Sequence, residues 1–195
     1  AYMKSHPRVG LAGARMLNPD GSSQWSVSYR YPGEKLTRGE VAGLPGAIAA
    51  VLGAAMIAPR SLLMKLGGFS EDFFLYGEDQ DLCLRMRRAG HEIGFIEEAP
   101  VIHEGGLSER GSRDYDRWKR KIEAEYIFYR KHYRPSTVRR ISRAYAVKAR
   151  WRLATLRLAL PFLNSPGKEK AREKLAKYRA IDDTVRSQER KENAN

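Results

Sequence analysis

The sequence predicts a mixed α/β fold followed by a helical extension, and three observations predict it. Apolar runs at residues 9–17 and 53–58, bounded by turn residues, have the length and flanks of buried strands. From residue 78 the pattern becomes helical, with Leu82, Met86 and Ala89 on one face and Arg85, Arg87 and Arg88 toward the end. From residue 108 the chain is strongly charged, and apolar residues recur every three or four positions.

Taken in order, residues 9–17 make the first strand, and Asn18-Pro19-Asp20-Gly21 is a turn signal. Residues 24–31 alternate Trp25, Val27, Tyr29 and Tyr31 with Ser26, Ser28 and Arg30, which predicts a hairpin-like pair. A turn-rich loop at 32–46 leads to a short buried strand at 53–58 and a helix over 59–66, with Pro59 acceptable as its first residue. Gly90 stops the helix that begins at Glu78, and strands are expected at 93–96 and 99–103. Beyond residue 108, Trp118, Ile122, Tyr126 and Tyr129 share one helical face. Asp114 and Asp116 spell D-x-D, but in a polar, Arg-rich stretch that reads as a solvated helix start.

Residues 130–167 hold no acid and ten Lys and Arg. Val138, Ile141, Tyr145, Ala149, Leu153, Leu156 and Leu160 run at helical spacing, while Arg139, Arg143, Arg150 and Arg157 gather on another side. This predicts a basic amphipathic helix ended by Pro161 and residues 164–167. Residues 168–195 read as a polar helix fading into a disordered tail.

Composition bounds the function. At 195 residues and 42% hydrophobic content the chain can bury one good core. Through residue 107 there are 11 Lys and Arg against 12 Asp and Glu, and from 108 on 25 against 11, so the net charge of +13 belongs to the second part alone. A nucleic-acid binder more often carries such charge on the folded unit itself. Cys83 is the single cysteine, which excludes an intrachain disulfide, fits a reducing compartment and reads as a small buried side chain. Residues 1–10 lack the apolar core of a signal peptide. The uncharged stretch 41–59 is broken by Gly43, Pro45, Gly46 and Gly53, and reads as a loop entering a buried strand rather than a membrane span.

Residues 67–90, GGFSEDFFLYGEDQDLCLRMRRAG, concentrate the chemistry. Gly77 breaks the aromatic run 73–76 and puts Glu78, Asp79 and Asp81 in the first helical turn. There free N–H groups and the helix dipole favour negative charge and keep carboxylates ionised. A carboxylate held that way can accept a proton. The same acids also suit plain capping, with Asp81 pairing Arg85 four residues on. His103, at a strand end before Gly105 and Gly106, is open between a hydrogen-bonded loop residue and a ligand.

The string GGFSEDFF…GEDQDLCLRMRRAG resembles the ED-containing segment of the family 2 glycosyltransferases, inverting enzymes of the GT-A fold, and particularly their bacterial rhamnosyltransferase-like members. The likeness continues in order through VGLAGARMLNPDGS at 9–22, GAAMIAPRSLLMKLGGF at 53–69, APVIHEGGLS at 99–108 and YIFYRKHY at 126–133. It implies an α/β fold class, the C-terminal half of a GT-A (nucleotide-diphospho-sugar transferase) fold with a C-terminal helical extension. The expected division is 1–133 for the catalytic half, 134–167 for the basic helix and 168–195 for the polar tail. In the family, the strand with the metal-binding Asp motif precedes the region matched here, so residues 1–195 alone are expected to be inactive.

The resemblance also implies a reaction: a sugar moves from a nucleotide-diphospho-sugar donor to a hydroxyl of a glycan or lipid-linked acceptor, with inversion, in cell-surface polysaccharide or glycolipid synthesis. Asp79 would be the general base, and Glu78 would orient it or bind acceptor hydroxyls. Gly53, Ala54, Tyr76 and Asp81 fall at the acceptor or substrate. His103 would bind a divalent metal, Mg²⁺ or Mn²⁺, that neutralises the departing diphosphate. Gly105, Gly106 and Ser108 would form a diphosphate loop, although glycines after a strand also make a plain turn. Val51 and Leu52 stand where family members often carry an acceptor-contacting aromatic, which leaves the acceptor type open. The acidic helix start and His103 are then expected to face one cleft.

The basic helix suits the anionic inner face of the cell membrane, which would make the protein cytoplasmic and peripheral. Equally, its apolar face suits packing on the catalytic domain with the arginines in water. A non-catalytic membrane-associated scaffold is a second reading. A nucleic-acid-binding domain is the third, weakened by the lack of an aromatic stacking platform.

Overall fold

The structure, a computed structural model, describes residues 2–105 and 111–193. The chain divides into two compact units, Ala1–Ser108 and Glu109–Asn195. The first is mixed α/β and the second is helical.

In the first unit a short helix α1 (Tyr2–Ser5) precedes β1 (Val9–Leu17), the centre of a three-stranded sheet. β4 (Met56–Ile57) pairs antiparallel with one edge of β1, and β5 (Glu92–Ile102) runs parallel along the other. A second, two-stranded sheet joins β2 (Val27–Ser28) to β3 (Ala50–Val51). The helices are α2 (Arg60–Lys65) and α3 (Glu78–Arg88). β1 reads as a nearly continuous apolar run because consecutive residues, among them Leu11 and Ala12, are buried. At Gly13 an added Cβ would lie 2.5 Å from the Val51 Cβ, so only glycine lets β3 approach this closely. α3 sets Leu82, Cys83 and Met86 against Leu11, Ala50, Val51 and Ile93. Each fully buried large apolar side chain there contributes about 1.5–3 kcal/mol.

The expected hairpin does not form. Its turn closes, with the Gly21 N–H donating to the Asn18 carbonyl at 2.9 Å and the Ser22 N–H to Asp20 Oδ1 at 2.9 Å. After one bridge, Leu17 with Ser23, the returning arm leaves β1 and pairs with β3. Ser26 supplies the reason. Its buried Oγ accepts the Met16 N–H at 2.9 Å and donates to the Gln24 carbonyl at 2.9 Å, a side chain replacing a ladder partner. The alternation breaks there, for Ser26 is buried and Trp25 is 58% exposed, while Tyr31 is buried as expected.

Two further strands differ from expectation. Residues 53–58 are not one buried strand, since Gly53 and Ala54 form an exposed turn between β3 and β4. β5 is one strand of 11 residues where two were expected. Its register slips between the Ala14–Ile96 and Arg15–Pro100 pairs, and this irregularity separates the two expected pieces.

The second unit comprises α4 (Asp114–His132), α5 (Pro135–Ala159) and α6 (Ser165–Asn193), with α6 packed on both others. Asp114 and Asp116 are paired with Arg117 at 2.6 Å and Arg113 at 2.9 Å, an ion-paired helix start. Ile122, Tyr126 and Tyr129 are buried on the face read from the sequence. The aromatics of α4 pack within this unit, which begins at Glu109. α6 is no fading tail, because it is helical to Asn193 and buries Ala171, Ala180, Ile181 and Val185. Small residues among many charges concealed that face. Its buried Asp182 joins Arg150 at 3.0 Å and Arg186 at 2.7 Å.

On α5 the face read from the sequence is the core of the helical unit, with Val138, Ile141, Ala149 and Leu153 buried. Among the described residues no helix is long and apolar enough to cross a membrane. Glu125 of α4 is held by Tyr129, whose hydroxyl donates to Oε2 at 2.7 Å. Burial still pushes its carboxyl above the usual range, against the pull of Tyr129 and Lys177. A carboxyl raised in the folded state stabilises below its unfolded value and loses that contribution as pH rises through the folded one. Glu125→Gln is therefore expected to raise the thermal midpoint at pH 8 and to make little difference near pH 4. Calorimetry at both pH values checks this.

Candidate functional site

α3 begins in a strained turn. Tyr76 and Gly77 both have positive φ, 69° and 85°, the first in a region that side chains rarely adopt. Such outliers cluster where a functional group must be aimed. The turn leaves Phe73 buried and Phe74 97% exposed, and delivers Glu78 and Asp79 to the first turn of the helix.

Asp79 is held from two sides. Its Oδ1 accepts the Gln80 N–H at 2.7 Å, and its Oδ2 accepts the Gly53 N–H at 3.2 Å. A Cβ on residue 53 would stand 3.3 Å from the Asp79 Cβ, so the glycine permits the approach. Both bonds favour the anion. Burial, and then the charge of Glu78, outweigh them and push the Asp79 carboxyl up to about 6. Desolvation here outweighs the pull of the helix start without removing the charge at neutral pH. At pH 7 the anion still outnumbers the acid by about ten to one, and a base near the working pH is well matched to proton transfer.

Beside it, Glu78 Oε2 and Gln80 Oε1 are buried without a hydrogen-bond partner among the described residues.

Asp81, expected at the acceptor, is fully buried and pairs with Arg85, whose Nη2 lies 2.7 Å and Nε 2.8 Å from its Oδ2. A carboxylate closed off from solvent cannot touch an acceptor, so its part is structural. Gly53 and Ala54 lie in the exposed turn, and Gly53 alone of the two is bonded to Asp79.

His103 is fixed by Gln24. The Gln24 Nε2 donates to Asn18 Oδ1 at 3.2 Å, which turns its Oε1 toward His103 Nδ1 at 2.8 Å. Facing an acceptor, Nδ1 carries the proton, and neutral imidazole keeps its lone pair on Nε2. Among the described residues no group of three or more His, Cys, Asp and Glu could hold a metal ion. Of the expected site residues His103 offers one nitrogen to Mg²⁺ or Mn²⁺, and no step of the reaction is assigned to a metal. Gly105 packs on Gln24, an added Cβ meeting its Nε2 at 3.0 Å. Gly106 and Ser108 of the expected diphosphate loop lie outside the described residues.

Asp79 and His103 are joined through the small sheet. His103 bonds Gln24, the Gln24 carbonyl accepts from Ser26 Oγ, the Ser26 carbonyl accepts the Leu52 N–H at 2.9 Å, and the next N–H, of Gly53, reaches Asp79. The sequence showed Gln24 only as a member of an alternating strand. Arg87 was equally hidden in the basic end of the helix, and Arg85 was legible only as the partner of Asp81. Arg85 donates to the Leu66 and Gly68 carbonyls at 2.6 and 2.7 Å. Arg87 holds the 44–46 loop through the carbonyls of Leu44, Pro45 and Gly46 at 2.8–3.1 Å.

Residues 3–166 match the family model described as glycosyl transferase family group 2. The match takes in most of the chain, and the chain belongs to this family. It is similar to the N-acetylglucosaminyl-diphospho-decaprenol L-rhamnosyltransferases of two Mycobacterium tuberculosis strains, CDC 1551 / Oshkosh and ATCC 25618 / H37Rv. Each is 27% identical over a match that covers 50% of this chain and 38% of the relative. The chain therefore spans well under two thirds of the length of these curated relatives.

Proposed function

We propose that this chain is the acceptor-side, C-terminal half of an inverting GT-A glycosyltransferase that moves a sugar from a nucleotide diphosphate to a hydroxyl of a glycan or lipid-linked acceptor. Asp79 carries the reading, as a half-buried carboxylate near 6 at the mouth of a helix, held by the Gly53 N–H. The acceptor oxygen attacks the anomeric carbon from the face opposite the diphosphate. Its proton passes to an Asp79 carboxylate oxygen while the bond from the anomeric carbon to the diphosphate oxygen breaks, and the nucleoside diphosphate leaves with that electron pair. Glu78, beside the base, raises its proton affinity by its negative charge. Support for a lipid-linked acceptor comes from the relatives' names, and support for glycosyl transfer from the family.

Residues 1–195 alone are expected to show no turnover with nucleotide-diphospho-sugars, because donor recognition lies outside them. Coupled nucleoside-diphosphate release by the purified chain, with and without Mn²⁺, tests this. Turnover at the rate of a full-length enzyme overturns the half-site reading.

A further inference from the structure

α5 carries two apolar faces, and the helical unit uses one. Val138, Ile141, Ala149 and Leu153 are inside. On the opposite side Val147, Trp151 and Leu158, with Phe162 in the 3-10 turn Leu160–Phe162 that follows, are 69%, 61%, 74% and 89% exposed. Their spacings of four, seven and four residues keep them on one helical face. They line up over about 22 Å, with the exposed Ala154 between them. A bundle helix needs one apolar face, and a second with two large aromatics marks a surface meant to be covered.

The flanks indicate what covers it. α5 contains no acid and seven Lys and Arg. Arg143, Arg150 and Arg157 recur every seven residues along one flank and Lys148 stands on the other, all exposed. Arg150 is shared with Asp182. An apolar strip bearing Trp and Phe between cationic flanks suits a helix lying in the plane of an anionic lipid surface, rings at headgroup depth and arginine stems reaching outward. A second copy of this chain would set like charge against like charge. A nucleic acid would leave the apolar strip in water.

We propose that α5 docks flat on an anionic bilayer through Val147, Trp151, Leu158 and Phe162, with Arg143, Arg157 and Lys148 at the headgroup phosphates. This is the side of the helix opposite to the one whose periodicity first suggested a membrane. It is independent of the glycosyl-transfer reading, since vesicles report it without turnover.

Flotation of the 195-residue chain with phosphatidylcholine vesicles containing phosphatidylglycerol, against pure phosphatidylcholine, tests the proposal. Binding is expected on the anionic vesicles and to fall with added salt. The triple variant Trp151→Ser, Leu158→Ser, Phe162→Ser is expected to bind them about tenfold more weakly or worse, with its helical circular dichroism unchanged. The pair Arg143→Gln, Arg157→Gln should lose roughly fivefold per residue on anionic vesicles alone. Equal binding by the triple variant overturns the proposal. So does a wild-type chain that ignores vesicles but self-associates in sedimentation velocity through the same strip, or that binds RNA in preference to vesicles.

Discussion

Asp79→Asn is expected to lower sugar transfer by about 10²–10⁴-fold in the full-length protein, and at the same time to stabilise this chain at pH 7.5 by about 1–3 kcal/mol. The second effect follows from the first's cause. The folded state holds the Asp79 proton with a value of about 6, whereas an unburied aspartate has 3.8. The folded chain therefore binds the proton more tightly. This group's stabilising contribution is complete below pH 3.8 and is lost as pH rises through 6. Two pH units correspond to about 3 kcal/mol at most, and an asparagine that meets an N–H with its own amide gives back about 1. Urea melts of wild type and variant at pH 4 and pH 7.5 should coincide at the lower pH and separate at the higher. A variant less stable than wild type at both would mean that the two N–H bonds outweigh burial. A carboxylate whose removal stabilises the fold is kept for its chemistry.

The helix that carries the proposed site was legible because its signals are local. The glycines, the aromatic run and the acidic helix start all lie within residues 67–90, and the helix they predict is present as Glu78–Arg88. The direction of the Asp79 shift was not legible, since it depends on Gly53, on burial and on Glu78 together. Pairing beyond neighbours failed for the same reason. Residues 24–31 have strand alternation, yet Ser26 spends its hydroxyl on Met16 and Gln24 and sends the chain to β3. On α5 periodicity found an apolar face correctly but could not distinguish the inner from the outer one, because Trp151 and Phe162 stand outside the three-and-four pattern that the core residues follow. α6 was underrated because alanines at 171 and 180 bury as completely as larger residues while contributing little to an apolar pattern.

Arg85→Met is expected to destabilise the first unit by about 3–5 kcal/mol, more than any surface change in it. The guanidinium meets the fully buried Asp81 at 2.7 Å and also donates to the carbonyls of Leu66 and Gly68. Removing it takes a charged donor from a buried carboxylate and from two carbonyls. The double variant Asp81→Leu, Arg85→Met should recover much of the loss, because a buried pair replaced as a whole costs far less than one broken in half. Denaturant melts of the two singles and the double close the cycle. Additive losses would mean that the carbonyl contacts, and not the pair, carry the effect. The same contacts tie residues 66–68, at the head of the loop that leads to Tyr76, to the body of α3 nearly two turns past Asp79. An Arg85→Lys chain in the full-length protein keeps the charge but not the fork, so it should retain most of the stability and lose transfer rate, the signature of a residue that positions the base through the loop.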